Sequence, residues 1–366
     1  MKIIQLLYTL SSGGAEKFVV DLSNELAERG HDVTLCMLRA DDKPNFTFNR
    51  QFLSNKVRYY NIGFNRGFSL AKSNAVQRFI KQEHPDVVHC HLNVIPYIFR
   101  LAIMDRKIAF IHTLHNVAQN ASGAGYQPLI NRFYYKYSFI HPVCISRLCM
   151  ESYNKFYKLD NALYIDNGRA LVPPSDRIEE VRDEIKWYKG SNETQVFIHV
   201  ARCDKQKNQH LLIDAFNVLN ELGIDFLLLI VGNGYNSELG TALKIKACDK
   251  IHFLGEKNNV NDYLLCADAF CLTSIFEGLP ISLLEALSCG VTPICTPVGG
   301  IPDVIRDGVN GYLSEGLEIN QYVEAVKHFM DHPINRDGLK AFYQANYSME
   351  ICVEKYERLY KKYCSV

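Results

Sequence analysis

Residues 2–38 read KIIQLLYTLSSGGAEKFVVDLSNELAERGHDVTLCML. The first seven residues, KIIQLLY, are a mostly apolar run of strand length. Residues 15–29 then place apolar side chains at helical spacing up to a stop at Gly30, and residues 32–38 return to a strand pattern. A strand, a helix and a second strand in such short compass cannot form a hairpin. They predict parallel strands with the helix packed across their face.

The same alternation continues outward from that stretch. Strand-like runs occupy residues 57–62, 86–90, 108–113 and 139–145, with helical spacing over 70–82 and 147–157 between them. A turn signal at Asn167 and Gly168 and the polar, proline-marked ALVPPSDRIEEVRDE break the series. A second series follows, with strands predicted over 194–201, 226–231, 250–253, 267–272 and 292–295 and helices over 209–222 and 320–330. The expected fold is α/β, with two doubly wound, Rossmann-like parallel-sheet domains facing across a cleft. Residues 1–170 form the first domain, 171–190 a linker, 191–345 the second domain and 346–366 a final helix. A chain of 366 residues accommodates two such domains comfortably. In open sheets of this kind ligands bind beyond the carboxyl ends of the strands, so site residues are expected just after strands.

Composition narrows the class. With 48% hydrophobic and 22% charged residues the chain has the balance of a soluble globular protein. The opening MKIIQLLY reads as a strand at once, without a signal-peptide pattern, and no apolar run approaches the ~20 residues of a membrane-spanning helix. The twelve cysteines are scattered singly, without a CxxC pair, which reads as reduced thiols in a cytoplasmic protein rather than a disulfide or zinc framework.

Net charge is zero but unevenly spread. Residues 1–170 hold 21 Lys+Arg and 13 Asp+Glu, a net +8, and the remainder holds 19 and 27, a net −8. Residues 43–82 contain eight basic residues, among them Arg50, Lys56, Arg58 and Arg66, and no acid, interleaved with eight aromatics from Phe46 to Phe79. A basic segment so rich in aromatics predicts an anionic surface as partner, either a membrane or a polyphosphate-bearing partner. Nothing in it points to nucleic acid.

Four motifs fall after predicted strands. In SSGGAEKF, Gly13 and Gly14 precede a helix, where positive φ and close backbone approach would suit an anion. The pattern is not GxGxxG, which disfavours a dinucleotide-dependent dehydrogenase. In VARCDKQKNQHLLIDAF, Arg202 and Lys207 stand between a strand and a helix, two cations suited to a diphosphate leaving group. In SIFEGLPISLLEALSCG, residues 274–290, Pro280 suits the first turn of a helix that stops at Gly290. The amides near Gly278, Leu279 and Ile281 would cradle an anion. Glu277 would sit in the loop at the cleft edge. Glu285, among leucines, would be a buried carboxylate needing hydroxyl partners. The fourth motif is a set of histidines. His89 and His91 share a strand face, His112 lies on another strand, and His115 sits just past its end beside Asn116. Core hydrogen bonding accounts for His89 and His112 better than a metal, so no metal site is assigned. His115 is placed at an active site.

Taken in order, these segments resemble the family-four retaining glycosyltransferases of GT-B fold. SGGAEKFVVDLSNELAERGHDV is similar to the family's opening glycine loop and helix, HTLHN to its acceptor-side histidine, and IDNG to the end of its first domain. VARCDKQKN is similar to its Arg/Lys pair, Glu277 and Glu285 to its E-x7-E signature, and VGGIPDVIRDGVNGYL to the segment that follows. The resemblance covers nearly the whole chain. It departs at Ala201, at Arg169 and Ala170, and at Asp303, where glycine, a small apolar residue with aspartate, and glutamate are more usual.

The resemblance implies transfer of a sugar from a nucleoside-diphosphate sugar with retained configuration and no metal or other cofactor, the sugar nucleotide being a substrate. Arg202 and Lys207 would meet the diphosphate, together with the amides after Glu277 and the Gly13–Gly14 loop. Glu277 would touch the donor sugar, Glu285 the ribose, and the backbone around Lys257 the base. His115 would lie near the donor sugar and acceptor. The expected role is extension of a surface polysaccharide or glycan on a lipid carrier, by a cytoplasmic enzyme peripheral on the inner face of the cell membrane. Two alternatives stay open: a GT-B sugar-nucleotide epimerase or phosphorylase, and a non-catalytic sugar-nucleotide-binding protein.

Overall fold

The computed structural model describes every residue except Arg66, Ala124, Val172, Ser365 and Val366. It contains two parallel sheets, each in its own compact unit. Unit one comprises Met1–Ala170 and Tyr347–Val366, and unit two Leu171–Asn346.

The first sheet runs β1 (Lys2–Leu7), β2 (Asp32–Arg39), β3 (Arg58–Phe64), β4 (Val87–His91), β5 (Ala109–Leu114), β6 (His141–Cys144) and β7 (Leu163–Tyr164) in sequence. In space the order is β3-β2-β1-β4-β5-β6-β7. Pairing is parallel throughout, with Ile3 opposite Val33 on one side and Val87 on the other. β1 is therefore central, and Ile3, Ile4, Leu6 and Leu7 are all buried. That two-sided burial is why the opening run is apolar at successive positions instead of alternating.

The second sheet consists of β8 (Gln195–Val200), β9 (Phe226–Val231), β10 (Ile251–Gly255), β11 (Ala269–Leu272), β12 (Thr292–Cys295) and β13 (Tyr312–Leu313). Its order is β10-β9-β8-β11-β12-β13. Each sheet thus reverses its winding beside its first strand, between β1 and β4 and between β8 and β11. Ligands of doubly wound sheets bind at such reversals.

Residues 171–190, expected as a linker, belong to the second unit. Residues Ile178–Tyr188 form a helix that buries Val181 and Ile185, and Glu184 accepts a hydrogen bond of 2.6 Å from Tyr263. The polar composition that suggested a linker is the solvent face of this helix.

The last helix, Met349–Cys364, packs in the first unit. Its Glu357 lies 2.7 Å from His31 Nε2, and its Tyr356 and Tyr360 are buried. Arg169 is also buried and ion-paired with Asp21, while its backbone bonds Tyr347 and Met349. Arg169 thus links the returning chain, bonded by its backbone, to the Gly14–Glu28 helix, bonded by its guanidinium through Asp21.

Candidate active site

At the reversal of the second sheet, the loops leaving β8 and β11 lie side by side. Ile275 N donates to Gln206 O at 2.9 Å, Gln206 Nε2 donates to Phe276 O at 2.8 Å, and Thr273 Oγ1 bonds the carbonyls of Lys207 and Asn208 at 3.1 Å. This lacing brings Lys207 to Glu277, seventy residues further on. Lys207 Nζ is 2.6 Å from Glu277 Oε1, and Ser274 Oγ donates to the same oxygen at 2.6 Å. Glu277 is only 5% exposed, and a carboxylate so buried needs both partners.

The burial expected of the two glutamates is reversed. Glu277 is the buried one, and Glu285 lies half-buried, one turn from the half-buried Ser282 on the more open side of the Ile281–Ser288 helix. The leucines around Glu285 in sequence, Leu283, Leu284 and Leu287, point to the other side of that helix and are buried. Pro280 stands just outside the helix as its N-cap, with ψ 125°, and no side chain caps that end. Gly278 O accepts from Gly300 N at 2.8 Å, and Leu279 and Ile281 turn their side chains into the core.

Arg202 extends outward, its side chain 66% exposed and 3.5 Å from Asp204. The carbonyl of Arg202 is held by Gln209 Nε2 at 2.8 Å, and that of Ala201 by Tyr235 Oη at 3.2 Å. His199, beneath them, donates from Nδ1 to Cys271 O at 2.8 Å, and burial lowers its pKa to about 4, so it is a neutral brace. Lys257 contacts Glu184, at 3.9 Å, and the Tyr263 ring, at 5.1 Å.

Two structural residues were missed from sequence. Ser274 is one. Gly299 is the other: with φ +64° it lies so close that a Cβ there would sit 1.8 Å from Glu277 O. Ser274 meets Glu277 three residues on within one loop, whereas the Gly299 contact depends on β12 lying beside β11.

In the first unit, the loop after β1 leads into the Gly14–Glu28 helix. Neither Gly13 nor Gly14 adopts positive φ, and Gly13 is extended at φ −77°. A Cβ on Gly13 would lie 2.2 Å from Glu16 Oε2, the movable end of a flexible side chain, so this contact does not by itself require glycine. Glu16 folds back over the helix start and accepts from Ser11 Oγ at 2.6 Å.

The histidines gather at the carboxyl ends of β4 and β5. His89 Nδ1 meets Tyr360 Oη at 2.7 Å and its Nε2 meets Thr113 Oγ1 at 2.7 Å; Thr113 in turn meets Tyr356 Oη at 3.0 Å. His112 donates from Nε2 to Leu92 O at 2.9 Å and accepts from Tyr135 at 2.7 Å. His91 Nε2 is 2.8 Å from Gln5 Oε1, an oxygen that only accepts, so Nε2 carries the proton. His91 Nδ1, 3.0 Å from His115 Nε2, must then accept from it. His115 Nδ1 is left as a bare acceptor, buried and without a partner. A ligand hydroxyl is the complementary group.

Burial lowers the pKa of His115 to about 3, helped by His112, and that of His112 to about 4; His89 and His91 fall well below the ordinary value for the same reason. The cluster is neutral. Among the described residues no group of three or more His, Cys, Asp or Glu side chains is placed to hold a metal ion.

The basic stretch at 43–82 is less free than its sequence suggests. Arg50 is 3.5 Å from Asp41 and lies over the Tyr59 ring at 4.2 Å. Lys56 is 2.5 Å from Glu28, and Arg58 pairs with Glu83. The acids come from just outside the segment or from the neighbouring helix. Arg66 lies outside the described residues.

Comparison with known proteins gives the class. Residues 12–168 match the family model described as Glycosyltransferase Family 4, and residues 181–346 the one described as Glycosyl transferases group 1. The chain belongs to the family-four glycosyltransferases and has the GT-B fold. Among individual relatives, the N-acetyl-alpha-D-glucosaminyl L-malate synthase of Bacillus anthracis is 27% identical over 376 residues, spanning 96% of this chain and 94% of that protein. The GalNAc-alpha-(1->4)-GalNAc-alpha-(1->3)-diNAcBac-PP-undecaprenol alpha-1,4-N-acetyl-D-galactosaminyltransferase of Campylobacter jejuni is 27% identical, spanning 86% and 84%. The crystal structure of Anabaena HepE in complex with UDP-glucose superimposes with a TM-score of 0.79 at 17% identity, over 99% of this chain and all of that one.

Proposed function

We propose that the protein is a retaining glycosyltransferase that moves a sugar from a nucleoside-diphosphate sugar to a lipid-linked glycan acceptor at the cytoplasmic face of a membrane. The observation that carries this reading is the Lys207–Glu277 pair, assembled from two loops at the sheet reversal with Arg202 on the same loop as Lys207. Lys207 and Arg202 would neutralise the diphosphate, and the amides around Gly278, Leu279 and Ile281 would add donors. Glu277, its Oε1 already held by Lys207 and Ser274, would offer its other oxygen to the donor sugar's hydroxyls. Glu285 would hold the ribose and the backbone around Lys257 the base. The loop of Gly13 and Gly14 is assigned to the diphosphate, with the Glu16 carboxylate moving aside. These groups supply the charge stabilisation themselves, so the reading calls on no metal or cofactor.

In this mechanism the acceptor hydroxyl oxygen bonds to the anomeric carbon while the bond from that carbon to the diphosphate oxygen breaks on the same face. The acceptor proton passes to the departing diphosphate. Retention follows, and no side chain becomes a covalent nucleophile. His115, neutral with Nδ1 bare, is suited to accept a hydrogen bond from a sugar hydroxyl near the reaction centre and thereby orient it. Two relatives bear names that specify alpha products, and one acts on an undecaprenyl-pyrophosphate-linked glycan. The alpha names favour retention, and the undecaprenyl-linked glycan in the second name favours a lipid carrier, while the first names L-malate.

The test is transfer and donor hydrolysis by Glu277→Ala, Arg202→Ala and Glu285→Ala, after a screen across nucleoside-diphosphate sugars has found the donor. Loss of both activities in Glu277→Ala and Arg202→Ala is expected. Full activity in all three would remove the site assignment. Epimerised donor without acceptor, or dependence on phosphate, would favour the alternative reactions of the fold.

A further inference from the structure

The Gln127–Lys136 helix of the first unit has two apolar faces. Tyr134 and Tyr135 are buried on the inner one, and Tyr134 Oη donates to Phe99 O at 2.9 Å. The outer face carries Leu129, Ile130 and Phe133, continued by Tyr126 before the helix and Tyr137 after it. These five side chains are exposed by between 41% and 82%. Their spacing of three, one, three and four residues puts them within an arc of about 100°. An exposed apolar stripe of this width is unusual on a water-soluble surface and marks an interaction site.

Its surroundings are basic. Phe133 stacks on Phe139 at 5.7 Å, and Arg106 lies over Phe139 at 4.9 Å; Lys136 lies 5.4 Å from the Tyr137 ring. Exposed Ile103 and Met104 continue the apolar surface from the Phe99–Met104 helix. Beside them runs a groove of about 600 Å³ lined by Arg78, Lys81, Arg100 and Met104. Arg78, Lys81, Arg100, Arg106 and Lys136 form no salt bridge among the described residues, unlike the paired Arg50, Lys56 and Arg58.

We infer that this face, which includes Arg78 and Lys81 from the end of the 43–82 segment but not its paired Arg50, Lys56 and Arg58, docks the protein on an anionic lipid bilayer. The stripe would enter the headgroup boundary, and the unpaired cations around it would face anionic headgroups. Apolar side chains flanked by arginine and lysine are the combination an interfacial surface needs. No helix among the described residues is long and apolar enough to cross a membrane, so binding would be lateral and salt-sensitive. This inference goes beyond the proposed reaction, since vesicle binding requires neither donor nor acceptor and is read without them.

The experiment is flotation of the full chain with phosphatidylcholine vesicles containing about 30 mol% phosphatidylglycerol, against pure phosphatidylcholine. Wild type should float with the anionic vesicles and be released at high salt. Leu129→Gln/Phe133→Gln and, separately, Arg106→Gln/Lys136→Gln should each lower the bound fraction at least about 10-fold, at unchanged melting temperature. Lys56→Ala should bind as wild type. Absence of wild-type binding, equal binding to neutral vesicles, or undiminished binding by both double variants would overturn the proposal. So would a dimer in sedimentation velocity that Leu129→Gln/Phe133→Gln dissociates without effect on flotation, which would make the stripe a contact between two copies of this chain.

Discussion

The two sheets share their strand order up to the sixth strand, yet their carboxyl ends are built from opposite chemistry. Beyond β8 and β11 the second unit presents ions: a lysine and a glutamate locked together and an exposed arginine beside Asp204. Beyond β4 and β5 the first unit presents a neutral lattice of histidines, tyrosines and threonine, with one bare ring nitrogen. The same backbone architecture therefore specifies position only; what is held there depends on the loops. Charge suits a diphosphate, whose departure must be stabilised, and neutral hydrogen-bonding groups suit sugar hydroxyls, which must be oriented but not ionised.

Breaking the charged end should have the larger effect. Lys207→Ala is expected to lower kcat for transfer about 10²–10³-fold, as removal of a group that stabilises developing charge does. Glu277→Ala should do at least as much. It should also lower the melting temperature, because it leaves the Lys207 ammonium without its partner, at about 1–3 kcal/mol. Glu277→Gln should recover much of that stability but little activity. A variant with full stability loss and normal turnover would mean the pair is purely structural.

Breaking the neutral end should cost less and differently. His91→Phe removes the acceptor that fixes the His115 tautomer, so transfer should fall about 10²-fold through misplacement, with donor hydrolysis less affected. Equal loss of both would contradict an orienting role.

The neutral lattice also predicts a pH signature in stability. The unfolded histidines bind protons below their ordinary 6.5, whereas folded His112, His141 and His199 do so only near 4 and His115 near 3. In that window the unfolded state holds more protons, so stability rises with pH. Their contribution is full above about pH 6.5 and is lost as pH falls toward 4. Melting temperatures between pH 7.5 and 5 should fall on acidification; a flat profile would show that these histidines are already protonated in the fold. The smallest effect belongs to Lys56→Ala, an exposed pair, where unfolding free energy should change by less than about 1 kcal/mol.

Much of this was legible in the sequence. Residues 2–38 and the alternation that follows announce parallel sheets, because central strands must be apolar on both faces. Two-residue strands such as β7 and β13 leave no periodic signal and went unread. The Gln127–Lys136 helix was missed because apolar residues line both its faces, which hides the amphipathic pattern. The residue types of the site were visible, but their pairing was not. Lys207 meets Glu277 only because β8 lies beside β11, and Gly299 approaches the Glu277 backbone only because β12 lies on the other side of β11. The pairing of Lys56 and Arg58 was hidden for the same reason: Glu28 and Glu83 reach them through tertiary packing.

The central claim is that the second sheet's reversal binds a nucleoside diphosphate through Lys207. Thermal shift across a panel of nucleoside diphosphates, with the matching nucleosides as controls, tests it on wild type and Lys207→Ala. At least one diphosphate should stabilise wild type, by about 2.7 kcal/mol at one hundred times its dissociation constant, and should stabilise Lys207→Ala far less. The shift from the nucleoside alone should differ little between the two proteins. Equal stabilisation of both by the diphosphate, or none by any member of the panel, would contradict the account.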